Sequence, residues 1–185
     1  MTVKVFMDVD GVLRDLNAVF RRYYPDTVIR EYDNKQFGEF WQLMASDRET
    51  AKELYLDAPV VKGAGDGLRW IRADMSPVIT FLTASGINQW PWLREYTEQW
   101  LKVTGCFRKG DSITFVESGQ EKPVIVNSGK AVLFDDRVAT VNGIRFPSIG
   151  VWVESGLTRD RVRLASRGNI MRIKDLAALA AGRFE

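Results

Sequence analysis

Residues 4–13, KVFMDVDGVL, run as an apolar strand until two acids, Asp8 and Asp10, interrupt it and a glycine follows. Side chains two positions apart on a strand point to the same face, so both carboxylates can face one site. Two carboxylates so close together raise each other's pKa unless a cation neutralises them, and Mg²⁺ prefers carboxylate oxygens. The alternative is a strand that ends in a solvent-exposed Asp-Gly turn. The segment therefore predicts either a metal-assisted acidic site or an ordinary turn.

The overall composition predicts one compact domain, with room for a small inserted subdomain. The chain has 185 residues, of which 45% are hydrophobic and 27% charged, and its formal net charge is +2. So small a charge does not predict a surface that coats nucleic acid or binds membranes. The N-terminal residues lack the zones of a signal peptide, and the single cysteine, Cys106, cannot form an internal disulfide. We therefore expect a cytoplasmic protein.

The absence of histidine excludes several kinds of catalytic site. Ser-His-Asp and Cys-His catalytic units are impossible, and so is a zinc site built on imidazole. Any metal must be a hard ion bound through oxygen. Proton transfer near neutral pH must use carboxylates, lysines or water.

Short apolar segments alternate with segments of helical periodicity along the chain. Predicted strands cover residues 2–9, 76–85, 112–116, 130–136, 148–153 and 169–173, and predicted helices cover 15–24, 35–56, 67–74, 91–103 and 174–182. This alternation predicts an α/β fold with a mainly parallel sheet. Ligands of such sheets bind at the carboxyl ends of the strands, so the polar residues that follow the strands form the candidate site.

A second acidic pair ends the predicted fourth strand. The sequence VLFDDR, residues 132–137, is apolar until it reaches Asp135 and Asp136. One of these acids could cap the helix that follows, since aspartate favours that position, but a cap explains a pair less well. Together with Asp8 and Asp10, the pair predicts a metal site of four carboxylates.

Two further segments offer groups that could bind phosphate. The second strand ends in FLTAS, residues 81–85, which supplies the Thr83 hydroxyl and free backbone N–H groups. Lys122 and Lys130 could each supply a positive charge. The alternative for all of them is an ordinary polar loop or a solvated lysine.

These motifs, in this order along the chain, resemble those of the haloacid dehalogenase (HAD) superfamily. The pattern is Asp-x-Asp-Gly-Val on the first strand, Thr on the second, then Lys, and Asp-Asp on the fourth, and the resemblance covers residues 1–14 and 75–153. The segments DVDGVLRD and KPVIVNSGKAVLFDDR further resemble the 5′(3′)-deoxyribonucleotidase branch. The resemblance implies a Rossmann-like three-layer core, formed by residues 1–14 and 75–185, and a small helical cap, formed by residues 15–74.

The resemblance also implies phosphatase chemistry with Mg²⁺ as the cofactor. Asp8 would be the nucleophile that forms an aspartyl-phosphate. Asp10 would bind Mg²⁺ through its backbone carbonyl, while its side chain transfers protons. Asp135 would bind the metal directly, and Asp136 would hold a metal-bound water or the lysine. Dehalogenases of the superfamily lack the second acid, so Asp10 indicates a phosphatase or phosphotransferase.

For the substrate's phosphoryl group, the resemblance implies three further binding residues. Thr83 and the backbone of Ala84 would bind phosphoryl oxygens, and a lysine would stabilise the charge on the group. We assign the lysine to Lys122, because its Glu-Lys-Pro setting and its distance from Asp135 match the nucleotidase branch. Lys130 lies nearer the base of the fourth strand.

Within the predicted cap, Phe37, Phe40 and Trp41 could stack on a nucleobase, or they could simply pack the cap helices together. Arg14 and Arg21, just beyond the first motif, are weaker candidates for substrate binding.

The substrate that the resemblance implies is a small phosphomonoester, with a nucleoside 5′-monophosphate placed first. The alternatives are a polynucleotide 3′-phosphatase, a sugar-phosphate phosphatase and a non-catalytic binding protein of the same fold. The low net charge argues against strong nucleic-acid binding, and no membrane partner is expected. The sequence does not determine the oligomeric state.

Overall fold

The computed structural model describes residues 3–23, 46–84, 91–154 and 163–183, together with residues 39 and 42. In these ranges six strands form one sheet: β1 (Lys4–Met7), β2 (Thr80–Ala84), β3 (Ser112–Val116), β4 (Ala131–Asp135), β5 (Ile149–Val153) and β6 (Ile170–Ile173). The order in the sheet is β3-β2-β1-β4-β5-β6, and every neighbouring pair is parallel. The predicted α/β fold with a mainly parallel sheet is confirmed.

Seven helices have both of their ends in the described ranges: α1 (Leu16–Tyr23), α2 (Arg48–Leu56), α3 (Ala64–Asp74), α4 (Pro91–Val103), α5 (Lys122–Val126), α6 (Val138–Asn142) and α7 (Ala177–Ala180). None of them is long and apolar enough to cross a membrane. The short helix α5 was not predicted, because five residues are too few for a periodic apolar pattern to be visible.

Both faces of the sheet are buried, as a parallel sheet requires. Alternation along the strands sends neighbouring residues to opposite faces. On one face, Met7 of β1 lies in a cluster with Leu68 of α3 and Trp100 of α4. On the other face, Phe6 of β1 lies in a cluster with Val126 of α5. The result is three layers, with helices on both sides of the sheet.

A separate cluster joins α1 and α2 to the first half of α4. Its members include Leu16, Phe20, Leu54 and Leu93. Helix α3, in contrast, packs in the sheet cluster through Leu68. The division into a core and a cap of residues 15–74 stays a prediction, and the packing of α3 favours a boundary before residue 64.

Helix α2 begins after an N-cap residue, Asp47, and is not the second half of a longer helix. Asp47 has an extended backbone, with φ of −131°, and its side chain accepts a hydrogen bond from the Glu49 N–H at 3.1 Å. Because this geometry ends any helix before it, the prediction of one continuous helix over residues 35–56 is wrong at Asp47.

Helix α3 begins at Ala64, earlier than the predicted residue 67. Gly63 turns the chain with φ of +82°, a conformation that favours glycine. Gly67 lies inside the helix against α7, where an added Cβ would come within 2.7 Å of the Leu176 carbonyl carbon. These glycines therefore permit a turn and a close helix contact.

Strand β1 lies at the centre of the sheet, between β2 and β4. The chain moves outward on one side through β2 and β3 and returns to the other side at β4. In open parallel sheets such a reversal leaves a crevice at the carboxyl ends of the central strands. Asp8, Thr83 and Asp135 are all at these ends.

Candidate active site

Three of the four predicted carboxylates meet where β1 and β4 end. Asp8 follows β1 and Asp135 ends β4, and the Asp8 N–H donates to the Phe134 carbonyl at 2.9 Å. Asp8, Asp135 and Asp136 are buried, and one carboxylate oxygen from each lies within 4.8 Å of the others. The sheet therefore brings together acids that are more than a hundred residues apart in the sequence.

Lys122 lies between two of these carboxylates. Its Nζ is 2.6 Å from Asp8 Oδ2 and 2.8 Å from Asp135 Oδ2, and only 1% of the residue is exposed. Lys130 is exposed and precedes β4, at the opposite end of that strand from Asp135. The structure thus places Lys122, and not Lys130, in the acidic cluster.

The remaining oxygens of the two lysine-bound carboxylates accept backbone hydrogen bonds. Asp8 Oδ1 accepts from the Val9 N–H at 2.8 Å, and Asp135 Oδ1 accepts from the Arg137 N–H at 2.8 Å. Each side chain is therefore held at both oxygens before any ligand binds, which is the preorganisation that electrostatic catalysis needs.

Negative charge outweighs positive charge in the cluster, and the pKa values reflect this. Burial raises the pKa of Asp8 well above its ordinary value; the Lys122 ammonium opposes that rise, and the Asp135 and Asp136 carboxylates add to it. Burial tends to lower the pKa of Lys122, but Asp135 and Asp8 outweigh it and raise that pKa. An excess of negative potential favours protonation of both groups.

The donor set fits a hard divalent cation. Three buried carboxylates face one ammonium group, and all three offer oxygen, which is the donor that Mg²⁺ prefers. A bound divalent cation would offset the excess negative charge and favour the ionised form of Asp8. Asp8, Asp135 and Asp136 are the residues that would hold it.

Asp10 faces a different partner from the other acids. Its Oδ1 accepts a hydrogen bond from Arg14 Nε at 2.6 Å, and its carboxylate is not part of the acidic cluster. Arg14 was predicted as a weak candidate for contacting substrate, but the residue is fully buried. Arg21, the other such candidate, is exposed on α1.

Thr83 brings a buried hydroxyl to the carboxyl end of β2. The residue is 1% exposed, and its Oγ1 is buried without a hydrogen-bond partner among the described residues. Buried hydroxyls are normally hydrogen-bonded, so this one has capacity for a ligand oxygen or a water. Ala84, which ends β2, is partly buried. Phe37, Phe40 and Trp41 lie outside the described residues.

Two contacts of Asp136 were not predicted from the sequence. Trp152 of β5, aligned with Asp135 across the sheet, donates its indole N–H to the Asp136 carbonyl at 2.8 Å. Gly11 has φ of +79°, and an added Cβ would lie 2.6 Å from Asp136 Cγ. The Asp-Gly pair in the first motif hinted at a turn, but nothing local indicated contact with Asp136.

Gly11→Ala is expected to weaken divalent-cation binding by about 10-fold or more, the scale of effects seen when residues that support metal ligands are altered. The reason is that the methyl group must displace the Asp136 carboxylate. Gly105→Ala is the matched control, since Gly105 has φ of +72° with no atom within 4 Å of an added Cβ. The Mg²⁺ affinity of each folded variant is measured from the rise in its melting temperature as Mg²⁺ is added. Equal Mg²⁺ affinities in the two variants would contradict the contact.

Comparison with known proteins identifies the fold. Neither a known family nor a curated protein sequence matches the chain. Solved structures do match over nearly the whole chain. An L-2-haloacid dehalogenase from Xanthobacter autotrophicus is 15% identical with a TM-score of 0.60, and the match covers 98% of each chain. These structural neighbours are members of the HAD superfamily.

Two further structural neighbours are a hydrolase and a phosphatase. A HAD hydrolase from Bacillus subtilis, bound to magnesium, is 10% identical with a TM-score of 0.55, and the match covers 97% of each chain. A D,D-heptose 1,7-bisphosphate phosphatase from Burkholderia thailandensis is 12% identical with a TM-score of 0.52, covering 98% of this chain and 97% of that one. At these identities the likeness establishes a HAD-type Rossmann-like fold and does not extend to the chemistry.

Proposed function

We propose that this chain is a Mg²⁺-dependent phosphohydrolase that cleaves small phosphomonoesters through an aspartyl-phosphate on Asp8. The observation that carries the proposal is the buried group of Asp8, Asp135 and Asp136 with Lys122 between two of them. Such an arrangement can hold a divalent cation and also present a carboxylate oxygen to phosphorus. The Thr83 hydroxyl, which has no hydrogen-bond partner among the described residues, supports it, because a phosphoryl oxygen could be that partner.

In the first step, an oxygen of Asp8 attacks phosphorus. The bond between phosphorus and the leaving oxygen breaks, and that oxygen keeps the electron pair and takes a proton from the Asp10 carboxyl group. Lys122 and Thr83 stabilise the phosphoryl oxygens by charge and by hydrogen bonding. Asp8, Asp135 and Asp136 would hold Mg²⁺, which would supply positive charge to offset the charge of the phosphoryl group.

In the second step, water attacks the phosphorus of the aspartyl-phosphate while Asp10 accepts the proton of the water. The bond between phosphorus and Asp8 breaks, so inorganic phosphate leaves and both carboxyl groups return to their starting states. One acid–base residue serves both steps because it first gives a proton and then takes one. Asp10 also favours this chemistry over dehalogenation, for which an acid at this position is not needed.

The substrate class that we propose is a nucleoside 5′-monophosphate, on the basis of the nucleotidase-like motifs. Phosphate release should be measured with nucleoside 5′-monophosphates, sugar phosphates and a 3′-phosphorylated oligonucleotide, each with Mg²⁺ and with a chelator. Preference for the nucleotides supports the assignment. Activity on sugar phosphates alone would overturn the substrate class but not the phosphatase, whereas inactivity on the whole panel would count against the enzyme itself.

Mg²⁺ is expected to raise the melting temperature of the protein, because a ligand that binds only the folded state stabilises it by about 2.7 kcal/mol at 100 times its Kd. For a domain of this size, that corresponds to about 5–10 °C. Asp135→Asn should lose most of the rise, and Asp74→Asn, an exposed acid at the end of α3, should keep it. Scanning fluorimetry with and without Mg²⁺ is the measurement. An equal rise in both variants would place the cation elsewhere.

Lys122→Met is expected to lower kcat by about 10²–10³-fold, the scale seen when one preorganised donor to the developing charge is removed. Lys130→Met is the matched control, since Lys130 is exposed at the other end of β4, and it should keep wild-type turnover. Melting curves in Mg²⁺ confirm that each variant is folded. Loss of turnover in Lys130→Met with retention in Lys122→Met would reverse the assignment.

A further inference from the structure

Arg14 is the charged residue most completely enclosed by described residues beyond the acidic cluster. None of its surface is exposed, and three segments of the chain hold its guanidinium. Nε donates to Asp10 Oδ1 at 2.6 Å, and Nη2 donates to Thr97 Oγ1 of α4 at 3.1 Å. The charge lies 3.9 Å from the centre of the Tyr55 ring of α2 and 5.5 Å from that of Trp100 of α4.

A buried guanidinium is costly unless it is paired, so its retention calls for an explanation. The Asp10 carboxylate, of which 15% is exposed, is its charged partner. The two residues meet because the loop between them is closed by its own hydrogen bonds: the Gly11 N–H donates to the Arg14 carbonyl at 3.0 Å, and the Arg14 N–H donates to the Val9 carbonyl at 2.8 Å. The loop, the two aromatic rings and Thr97 leave the guanidinium little freedom to move.

Asp10 therefore has one oxygen, Oδ1, bonded to Arg14, and no hydrogen bond to its Oδ2 comes from the described residues. The hydrogen bond from Arg14 holds Oδ1 and fixes the rotation of the carboxyl group, so Oδ2 is the oxygen left to exchange a proton with a reacting group. A planar guanidinium with several N–H donors can bind Asp10 and Thr97 at the same time, whereas a lysine ammonium in this space cannot span both.

We propose that Arg14 is a positioning residue for proton transfer, which anchors the Asp10 carboxyl group to α2 and α4. This inference rests on the phosphohydrolase proposed above and adds a residue to its machinery. Arg14 does not touch the substrate. It acts through Asp10, and the helices that pack around it thereby set the direction in which Asp10 can give or take a proton.

The test uses two substrates that are close in shape but differ in their need for an acid: phenyl phosphate, whose leaving group is strongly basic, and p-nitrophenyl phosphate, whose leaving group is weakly basic. The ratio kcat/KM reports the step up to the first irreversible bond cleavage. A misplaced acid slows that step for phenyl phosphate far more than for p-nitrophenyl phosphate. A loss of structure alone lowers kcat/KM for both substrates by the same factor.

Arg14→Lys is expected to lower kcat/KM for phenyl phosphate by about 10²-fold, within the range that general acid catalysis contributes, while p-nitrophenyl phosphate changes much less. Thr97→Val removes only the hydrogen bond to Thr97 and keeps Arg14. It should also lower kcat/KM for phenyl phosphate more than for p-nitrophenyl phosphate, but by a smaller factor than Arg14→Lys does. Arg48→Met is the control, because Arg48 joins α2 to α4 on the surface through Glu95 and Tyr96. Arg48→Met should leave kcat/KM unchanged for both substrates.

Equal losses for the two substrates in both Arg14→Lys and Thr97→Val would overturn the inference and leave Arg14 as a packing residue. A wild-type protein that releases phosphate from neither substrate would overturn the proposed function, and this inference with it. The wild-type rates therefore test the proposed function, and the relative loss of kcat/KM for the two substrates in the variants tests the role of Arg14.

Discussion

Replacing Asp8 by asparagine is expected to lower phosphate release by about 10⁴-fold or more, the scale of loss when a covalent nucleophile is removed from an enzyme. Asparagine keeps the shape of the side chain, but its amide oxygen is a poor nucleophile and carries no charge. Asp8 is also one of the groups that would hold the cation, so the substitution removes two contributions at once. Phosphate release at saturating substrate and Mg²⁺ measures the effect.

Trapping of the intermediate tests directly for a covalent bond between the protein and the phosphoryl group. Brief reaction with a radiolabelled phosphomonoester and acid quenching should leave label on the wild-type protein, and hydroxylamine should remove it, as it does from acyl phosphates. Asp8→Asn should carry no label, whereas Asp74→Asn should label as the wild type does. Label that persists on Asp8→Asn would assign the nucleophile to another residue.

Asp111→Asn is expected to destabilise the fold by about 3–5 kcal/mol, the range for removing one partner of a buried ion pair. Arg72 Nη1 and Nη2 donate to the two Asp111 oxygens at 2.9 and 2.7 Å, and the two side chains are 7% and 0% exposed. The pair ties α3 to the start of β3, and the same arginine also donates to the Cys106 carbonyl at 2.8 Å. Urea denaturation measures the change in free energy of unfolding.

The exposed ion pair on the same helix is the control for this prediction. Arg69 and Asp66 lie on α3 with side chains 66% and 58% exposed, so Asp66→Asn should change stability by less than about 1 kcal/mol. If the two substitutions were equally mild, the buried pair would not hold α3 to the sheet.

The contribution of Asp111 should also depend on pH. Burial alone would raise the pKa of Asp111, but hydrogen bonds from Arg72 and from the Ile79 and Arg108 N–H groups lower it below its ordinary value. A lowered pKa contributes stability that is fully present above the ordinary aspartate pKa, about 3.9, and that is lost as the pH falls through the lowered value. The difference in stability between wild type and Asp111→Asn should therefore shrink below about pH 4.

Much of the fold could be predicted because its determinants are local. Strand β1, KVFM, is apolar on both faces after Lys4, and a central parallel strand needs that, since both faces of the sheet are buried. The same rule identified the fourth strand, which ends at Asp135. Helix starts were predicted less well, because Asp47 and Gly63 act through side-chain and backbone geometry that a periodic pattern does not register.

The candidate site was predictable to the extent that it lies at strand ends. Residues that follow parallel strands meet at one edge of the sheet, so Asp8, Thr83 and Asp135 could be named from the sequence. Arg14 could not be assigned in this way. Its contacts with Asp10, Tyr55, Thr97 and Trp100 join three parts of the chain.

The sequence by itself determined which segments are strands and which acids follow them, because alternation and burial act over a few neighbouring residues. The tertiary structure placed Lys122 among those acids, as predicted, and it alone showed that a Cβ at residue 11 would meet Asp136 and that Arg14 is buried against Asp10. The contacts of Asp136 with Gly11 and of Arg14 with Tyr55 and Thr97 join residues far apart along the chain, and the packing of the helices on the sheet sets the distances between them. No local pattern specifies those distances.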